Sequence, residues 1–303
     1  MTARQGIETG GLLSRAWQFL HKTREEKARS LYARWIRFFP NLPMPVRLPF
    51  GGWWLARNDF LGSSFFYDSF EPAERAFVRR FLQPGMTVLD IGAHQGLYTL
   101  LASKSVGPTG RVFAFEPSPR EQRALRLNLR LNRCNNVRMQ SVALGDQEGQ
   151  ADLYIASIQQ TGFNSLRRQS ISTPTTQLKV LVKRLDDWLR EAKVDRVDFI
   201  KLDVEGGELA VLQGGTSLLE RRPRPVILAE LEDARSESWG HRAKDTAALM
   251  QTLGFQWFRL LQDGILERMP ENPDQYEGNF VAVPDEHMEQ VVELTKHGSD
   301  SHT

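Results

Sequence analysis

The 303-residue sequence predicts an α/β fold, in which a doubly wound, mostly parallel sheet of seven strands ends in an antiparallel last strand. Three observations predict it. Short apolar segments alternate with helical segments from about residue 71 onward. A glycine turn, containing Gly92 and Gly96, directly follows the first of these apolar segments. The connection before the last strand is rich in turn residues and too short for a crossover helix, which favours an antiparallel final strand.

The predicted strands are short apolar runs bounded by turn residues. They span residues 87–91, 111–116, 137–143, 197–203, 226–232, 255–261 and 278–283. The predicted helices lie between them, at residues 71–82, 97–105, 118–132, 206–220 and 242–253. Two strand-like pieces around a polar loop, between about residues 151 and 185, predict an insertion near the ligand-binding end of the sheet. We therefore expect one domain over residues 65–285, followed by a polar tail over residues 286–303.

Residues 1–64 predict a helical arm and a connector. Apolar residues recur at helical spacing over residues 12–20 and 28–39, and four prolines between residues 40 and 49 end any helix. Residues 1–47 contain nine basic and three acidic residues. A basic amphipathic segment with tryptophans suits an anionic membrane surface. The alternative is an arm that docks on its own domain or on a partner.

Composition excludes several classes of protein. A net charge of +2 argues against a nucleic-acid-binding surface spread over the whole protein. The single cysteine, Cys134, excludes an internal disulfide framework and a four-cysteine zinc site, and it fits a reducing compartment. No apolar run approaches the roughly 20 residues of a membrane span, and the N-terminus lacks a signal-peptide pattern. We expect a cytoplasmic protein whose membrane association, if any, is made through the arm.

Two carboxylates close the first two strands. Asp90 ends the apolar run before the glycine turn, and Glu116 ends the next strand. A glycine turn between a strand and a helix lets a ligand approach the backbone closely. A carboxylate at the end of the following strand can accept hydrogen bonds from both hydroxyls of a ribose. The pattern predicts a pocket for an adenosine-type cofactor.

Three further carboxylates follow the fourth and fifth strands. Asp203 and Glu205 come after the fourth strand, and Glu230 lies toward the end of the fifth. We expect them to converge because ligands bind at the carboxyl ends of strands in open parallel sheets. Crowded carboxylates raise at least one pKa unless a cation neutralises them, so the group either supplies a general base or holds a hard ion such as Mg²⁺. His94, just past the glycine turn, is a further candidate base, and Lys201 is expected to pair with a neighbouring carboxylate.

Five motifs occur in a fixed order along the chain. They are Asp90-Ile-Gly-Ala-His-Gln-Gly96, Phe115-Glu-Pro-Ser118, Ala143-Leu-Gly-Asp146, Asp198-Phe-Ile-Lys-Leu-Asp-Val-Glu-Gly-Gly-Glu208 and Gly278-Asn-Phe-Val-Ala-Val-Pro284. Over roughly residues 65–285 this set resembles the FkbM family of class I, Rossmann-like S-adenosylmethionine (SAM)-dependent methyltransferases. The first motif has two glycines where a dinucleotide motif has three. His94 departs from the family pattern, in which Asn is expected.

The resemblance implies SAM as cofactor and a hydroxyl acceptor on a sugar, a glycolipid or glycan, or a secondary metabolite. It implies cofactor contacts from one set of residues, namely Asp90, Gly92, Ala93, Gly96, Glu116, Pro117, Asp146 and Asp203. Asp146 is the candidate for the adenine amino group, although Leu-Gly-Asp is also an ordinary turn. Catalytic or metal-binding roles for Asp203, Glu205 and Glu230 follow instead from their positions at the strand ends. The alternatives are a SAM-binding scaffold without turnover and a nicotinamide-dependent oxidoreductase, which the glycine spacing disfavours.

Overall fold

The computed structural model describes residues 23–59, 61–62, 64, 70–169, 175–270, 273 and 275–296. The chain divides into two compact units. One comprises residues 1–44 and 56–70, and the other comprises residues 45–55 and 71–303. The helical spacing predicted over residues 12–20 lies outside the described residues.

The first unit is built on helix α1, Arg24–Phe38. Its start is fixed by a capping box, in which the Thr23 hydroxyl accepts the Glu26 N–H at 3.2 Å and the Glu26 carboxylate accepts the Thr23 N–H at 2.7 Å. Tyr32 is the buried anchor of the helix, and its hydroxyl donates to the carbonyl of Arg57. The helical prediction over residues 28–39 is confirmed.

The second unit alternates strands and helices. Its first half, with the connector strands before it, contains β1 Met44–Arg47, β2 Trp53–Ala56, α2 Pro72–Phe81, β3 Thr87–Ile91, α3 Leu97–Val106, β4 Arg111–Phe115, α4 Pro119–Leu131, β5 Val137–Gln140, β6 Ala143–Gly145 and β7 Gly149–Ile155. Its second half contains β8 Thr176–Arg184, α5 Leu185–Ala192, β9 Phe199–Leu202, α6 Glu208–Gln213, α7 Thr216–Glu220, β10 Val226–Glu232, α8 Asp233–Ser236, α9 Ala243–Thr252, β11 Phe255–Leu260, β12 Leu266–Arg268, β13 Glu277–Pro284 and α10 Met288–Lys296.

The main sheet has the order β12-β11-β13-β10-β9-β3-β4-β5. Strands β10, β9, β3, β4 and β5 are mutually parallel, and β13 is antiparallel to both of its neighbours. The doubly wound, mostly parallel sheet and its antiparallel last strand are confirmed. The strand count is corrected from seven to eight, because Leu266–Arg268 adds a short edge strand within the turn-rich connection. The order of the strands reverses between β3 and β9, where ligands bind in such sheets.

Two predicted elements are divided in the structure. The strand predicted over residues 137–143 leaves the main sheet after Gln140, and β6 pairs instead with β8 in a separate three-stranded sheet that also contains β7. This sheet is the predicted insertion. The helix predicted over residues 206–220 is two helices that meet at Gly214 and Gly215. A Cβ on Gly214 would lie 2.1 Å from the Gly145 carbonyl oxygen, so this junction packs tightly against β6.

Helices cover both faces of the sheet around two apolar clusters. On one face Trp188 packs edge-on against Phe113 and Phe115, at centroid distances of 5.0 and 4.7 Å. On the other face Phe199 contacts α2, and α10 contributes the buried Val291. The region predicted as a polar tail therefore contains a helix that packs on the core. Among the described residues, no helix combines the length and apolarity needed to cross a bilayer.

Replacing Trp188 by alanine is expected to lower the free energy of unfolding by about 3–5 kcal/mol, because it leaves a cavity beneath two aromatic rings. Urea denaturation followed by circular dichroism measures the change. Leu181→Ala is the matched control, since Leu181 is 53% exposed and its truncation should change stability by no more than about 0.5 kcal/mol. Equal effects of the two substitutions would contradict this description of the core.

Candidate active site

The glycine turn after β3 is hydrogen-bonded to the end of the neighbouring strand β4. The N–H groups of Gly92 and Ala93 donate to the Phe115 carbonyl at 3.0 and 2.9 Å. Gly92 has φ +85°, and a Cβ at this position would lie 1.7 Å from the backbone oxygen of Asp203. Only glycine fits, because both the conformation and the space exclude a side chain. The turn consequently lies against the residue that ends β9.

Gly96 serves the packing of two helices. It has φ +93°, and a Cβ there would lie 2.3 Å from a methyl carbon of Leu125 on α4. Its missing side chain allows α3 to begin against α4, whereas the sequence suggested close approach by a ligand. The prediction that Gly96 contacts a cofactor remains a prediction.

Glu116 is buried at the end of β4 and faces the same turn. Its two oxygens accept the N–H groups of His94 at 2.8 Å and Ser118 at 2.7 Å. Burial, together with the charge of Glu121, raises the pKa of Glu116 to about 8. Each carboxylate oxygen keeps a second lone pair, so Glu116 can still accept two hydroxyl groups. Pro117 follows it and lies half-buried in the turn into α4.

Asp90 is buried within β3, one residue before the strand ends. The Thr99 hydroxyl donates to its carboxylate. Burial raises the pKa of Asp90 to about 6, against the opposing effect of the hydrogen bond from Thr99. Asp90 pairs in register with Ala114 on the parallel strand β4, two residues before Glu116, so the two acids lie at the same end of the sheet.

The start of α4 differs from the capping box that its Ser118 and Glu121 spacing suggests. Ser118 is the N-cap residue, but its hydroxyl donates to the Glu121 carboxylate and makes no capping hydrogen bond to the backbone. The His94 ring lies beside the same carboxylate, with Nε2 3.8 Å from the Glu121 Oε1. The backbone of His94, held at φ +50°, supplies the N–H that binds Glu116.

Asp146 is exposed after β6, and within the described residues no hydrogen bond or ion pair joins it to Asp90 or Glu116.

The structure brings together the three carboxylates that follow β9 and end β10. Oxygens of Asp203, Glu205 and Glu230 lie within 4.8 Å of one another. The Asp203 side chain is 30% exposed, whereas those of Glu205 and Glu230 are 10% and 14% exposed. Asp203 is therefore the member of the cluster that a molecule from solution reaches most easily.

Two cations compensate the charge of this cluster. The buried Lys201 places its Nζ 3.2 Å from Asp203 Oδ2, as the sequence predicts. Arg235, from α8, contacts Glu205 and places its Nη1 3.4 Å from Glu230 Oε2. Burial alone would lower the pKa of Lys201, but the negative charges of Asp203 and the neighbouring acids outweigh it and raise that pKa above its usual range.

The pKa values of Asp203 and Glu230 are shifted in opposite directions. Burial and the charge of Asp203 raise the pKa of Glu230 well above its usual range. Burial also acts to raise the pKa of Asp203, but the charge of Lys201 and the hydrogen bond from Glu230 outweigh it and lower that pKa. These opposite shifts make Glu230 the member of the pair that holds a proton more readily, and the hydrogen bond between the two carboxyl groups favours the ionised form of Asp203.

Sequence reasoning gave no role to Asn279 or Tyr98, which complete the surroundings of Lys201. The Asn279 amide accepts from Lys201 at 3.2 Å and donates to the Glu71 carboxylate at 3.0 Å. The Tyr98 hydroxyl donates to the same carboxylate at 2.5 Å, and its ring lies 5.3 Å from Lys201 Nζ. The predicted antiparallel last strand could have indicated the position of Asn279, because Asn279 pairs in register with Glu230 on β10.

The insertion holds the loop that carries Glu205. Glu205 has φ +59°, and three side chains donate to its backbone carbonyl. They are Ser165 at 3.0 Å, Gln169 at 2.9 Å and Trp239 at 3.2 Å. The insertion and the turn after α8 thus fix the loop between β9 and α6.

The cluster provides the oxygen ligands that a Mg²⁺ ion prefers. However, the Arg235 guanidinium contacts Glu205 and Glu230, and Lys201 pairs with Asp203. The protein itself thus supplies the countercharge that a divalent ion would supply. The three carboxylates are suitable ligands for a metal ion. However, Arg235 already contacts two of them, so the arrangement does not support a metal site.

The doubly wound sheet, the glycine turn and the acids at the ends of adjacent strands define a protein with the class I methyltransferase fold. A family model described as the methyltransferase FkbM domain matches residues 90–257, which is more than half of the chain. The chain belongs to this family.

Comparisons with individual proteins show more distant similarity. The chain is 28% identical over 159 residues to the 2-O-methyltransferase NoeI of Sinorhizobium fredii, covering 48% of this chain and 64% of NoeI. It is 29% identical over 178 residues to the 31-O-demethyl-FK506 methyltransferase FkbM of Streptomyces tacrolimicus, covering 50% of this chain and 67% of that protein. The crystal structure of methyltransferase FkbM from Methylobacillus flagellatus KT has 15% identity and a TM-score of 0.42, covering 74% of this chain and 55% of that one.

Glu208 is expected to make the stability of the loop between β9 and α6 depend on pH. Its Oε1 accepts the N–H groups of Val204 at 3.0 Å and Gly206 at 3.2 Å, and burial raises its pKa from 4.5 to about 7. The folded protein binds this proton more tightly than the unfolded chain does. The resulting stability is complete below about pH 4.5 and is lost as the pH rises toward 7.

Glu208→Gln keeps the accepting oxygen and removes the titration. Between about pH 5 and pH 8, the free energy of unfolding of the variant should fall by about 2–3 kcal/mol less than that of the native protein. Urea denaturation of the ligand-free proteins measures both slopes. Glu148→Gln, at an exposed position, is the control and should match the native slope. An unchanged slope for Glu208→Gln would show that the carboxyl group does not titrate in this range.

Proposed function

We propose that this protein transfers a methyl group from SAM to a hydroxyl oxygen on a sugar, a glycolipid or glycan, or a secondary metabolite. The observation that carries the proposal is the contact between Gly92 and the backbone oxygen of Asp203. It puts the turn that would hold the donor directly beside a partly exposed carboxylate. In-line methyl transfer requires little beyond this alignment of donor and acceptor.

The turn supplies the donor site in this proposal. Glu116 accepts the ribose hydroxyls, for which its buried carboxylate retains lone pairs, and the backbone at Gly92 and Ala93 lies along the methionyl portion. Asp90 faces the ammonium group. When bound, SAM supplies an activated methyl group on a sulfonium sulfur. Asp146 has no role in this proposal, because it is exposed just after β6 of the separate sheet.

Asp203 is the proposed base. It is ionised at neutral pH and receives the proton of the acceptor hydroxyl. The hydroxyl oxygen would take the methyl group as the methyl–sulfur bond of SAM breaks, and S-adenosylhomocysteine would leave with the electron pair on sulfur. Lys201 and Arg235 hold the cluster in place, and Glu230 shares its proton with Asp203. Glu205 is bound to Arg235 and so positions this cation. His94 acts in this scheme through its backbone N–H to Glu116.

The names of the relatives support oxygen as the acceptor atom. NoeI is named a 2-O-methyltransferase, and FkbM of Streptomyces tacrolimicus acts, by its name, on 31-O-demethyl-FK506. The matched part of this chain spans just under two thirds of NoeI, so the acceptor class is a proposal. A SAM-binding scaffold without turnover is the alternative, and product formation distinguishes the two.

Incubation of cell extract with the protein and methyl-deuterated SAM should produce metabolites labelled on an ether oxygen, detected by mass spectrometry. Labelling should persist after EDTA treatment, because Arg235 and Lys201 supply the countercharge of the cluster. The Asp203→Asn variant in the same extract is the control for background enzymes. Label on nitrogen or carbon alone, or the absence of any label, would contradict the proposed reaction. Loss of labelling with EDTA and its recovery with Mg²⁺ would contradict the metal-free base.

Glu116→Ala and Asp203→Asn should affect different steps. Glu116→Ala should weaken SAM binding by about tenfold or more, since it removes two hydrogen bonds to the ribose that contribute roughly 0.5–1.5 kcal/mol each. Asp203→Asn should leave SAM affinity nearly unchanged and lower the turnover of labelled product by about 10²–10⁴-fold. Isothermal titration measures binding, with the exposed Glu148→Ala as control. The reverse ranking would show that the two roles are wrongly assigned.

A further inference from the structure

We infer that one face of α1 binds an anionic phospholipid surface, a function separate from methyl transfer. Lys27, Leu31, Arg34 and Phe38 follow one another at spacings of four, three and four residues. Residues at these spacings lie on the same side of a helix. The stripe alternates cationic and apolar side chains along nearly the whole length of α1.

The apolar members of this surface are exposed to an unusual degree. Leu31 is 47% exposed and Phe38 is 71% exposed. Phe39 and Leu42, just beyond the helix, are 52% and 55% exposed. Four large apolar side chains are thus exposed between residues 31 and 42, and such a concentration of exposed apolar surface marks an interaction site. We call these four residues, with Lys27 and Arg34, the α1 surface.

A hydrogen bond and a ring contact fix the apolar end of the α1 surface. The Trp35 indole N–H donates to the Leu42 carbonyl at 2.7 Å, which fixes the turn after the helix. The rings of Trp35 and Phe39 pack at a centroid distance of 5.3 Å. Because these side chains are already displayed on an ordered scaffold, binding to a surface requires little further ordering.

Charge identifies the partner. Residues 23–44 contain five basic and two acidic residues, and both acids lie in the first turn of α1, away from the apolar end. Arg34 and Arg37 lie in the last part of α1, just before the exposed Phe38 and Phe39, and both arginines are exposed. Anionic headgroups attract such cations, while aromatic and leucine side chains enter the boundary between headgroups and acyl chains. A symmetric dimer through this surface would instead oppose cations with the same cations.

Vesicle co-sedimentation of the full chain tests the inference. Binding to phosphatidylcholine vesicles that contain phosphatidylglycerol should exceed binding to pure phosphatidylcholine vesicles by about tenfold or more. The double variant Phe38→Ser/Phe39→Ser should lose at least about tenfold in binding to the anionic vesicles. Arg34→Glu/Arg37→Glu should abolish the preference for anionic vesicles. Circular dichroism verifies that both variants fold, which is expected because the substituted residues are exposed.

Matched controls lie elsewhere on the chain. Leu181→Ser removes an apolar side chain that is 53% exposed on β8, and Arg126→Glu reverses an exposed charge on α4; both should bind vesicles as the native protein does. Equal vesicle binding by the native protein and the double serine variant would overturn the inference. It would equally be overturned if the native protein ignored anionic vesicles and sedimented as a dimer that the serine variant converts to a monomer.

Discussion

The close approach of the turn after β3 to the end of β9 governs the arrangement of the candidate site. The Asp203 carbonyl occupies the space that a side chain at position 92 would need. This contact lies where the strand order reverses, so the first half of the sheet carries Asp90 and Glu116 and the second half carries the carboxylate cluster. The glycine turn and the carboxylate cluster become neighbours because two strand ends meet without a side chain between them.

Electrostatics then sets what the site can do. Several carboxylates are buried near one another, which is tolerable because Lys201 and Arg235 lie among them and because the raised pKa of Glu230 favours its neutral form. Lys201 is held by Asn279 as well as by Asp203. Asp203 is consequently an ionised carboxylate that is partly exposed to solvent. The same burial raises the pKa of Glu116, so occupation of the proposed donor site should be sensitive to pH.

Most of the fold was predictable from the sequence, because strand and helix periodicities are local and the glycine turn is a strong signal. The short strand β12 was missed because three residues among turn residues carry no periodic pattern. The break after Gln140 was missed because only two residues, Ser141 and Val142, separate the strand-like residues of β5 from those of β6. In the site, the convergence of the strand-end acids followed from topology. Arg235 could not be placed, since its contact with Glu205 depends on how a short helix folds back after β10.

Crystallographic analysis of the protein with S-adenosylhomocysteine tests the central claim most directly. We predict that the ribose hydroxyls contact Glu116 and that the sulfur lies beside Asp203, on the side of the cluster that is open to solvent. Ligand density elsewhere on the protein, or a ribose distant from Glu116, would contradict the claim that the turn and the carboxylate cluster form one active site.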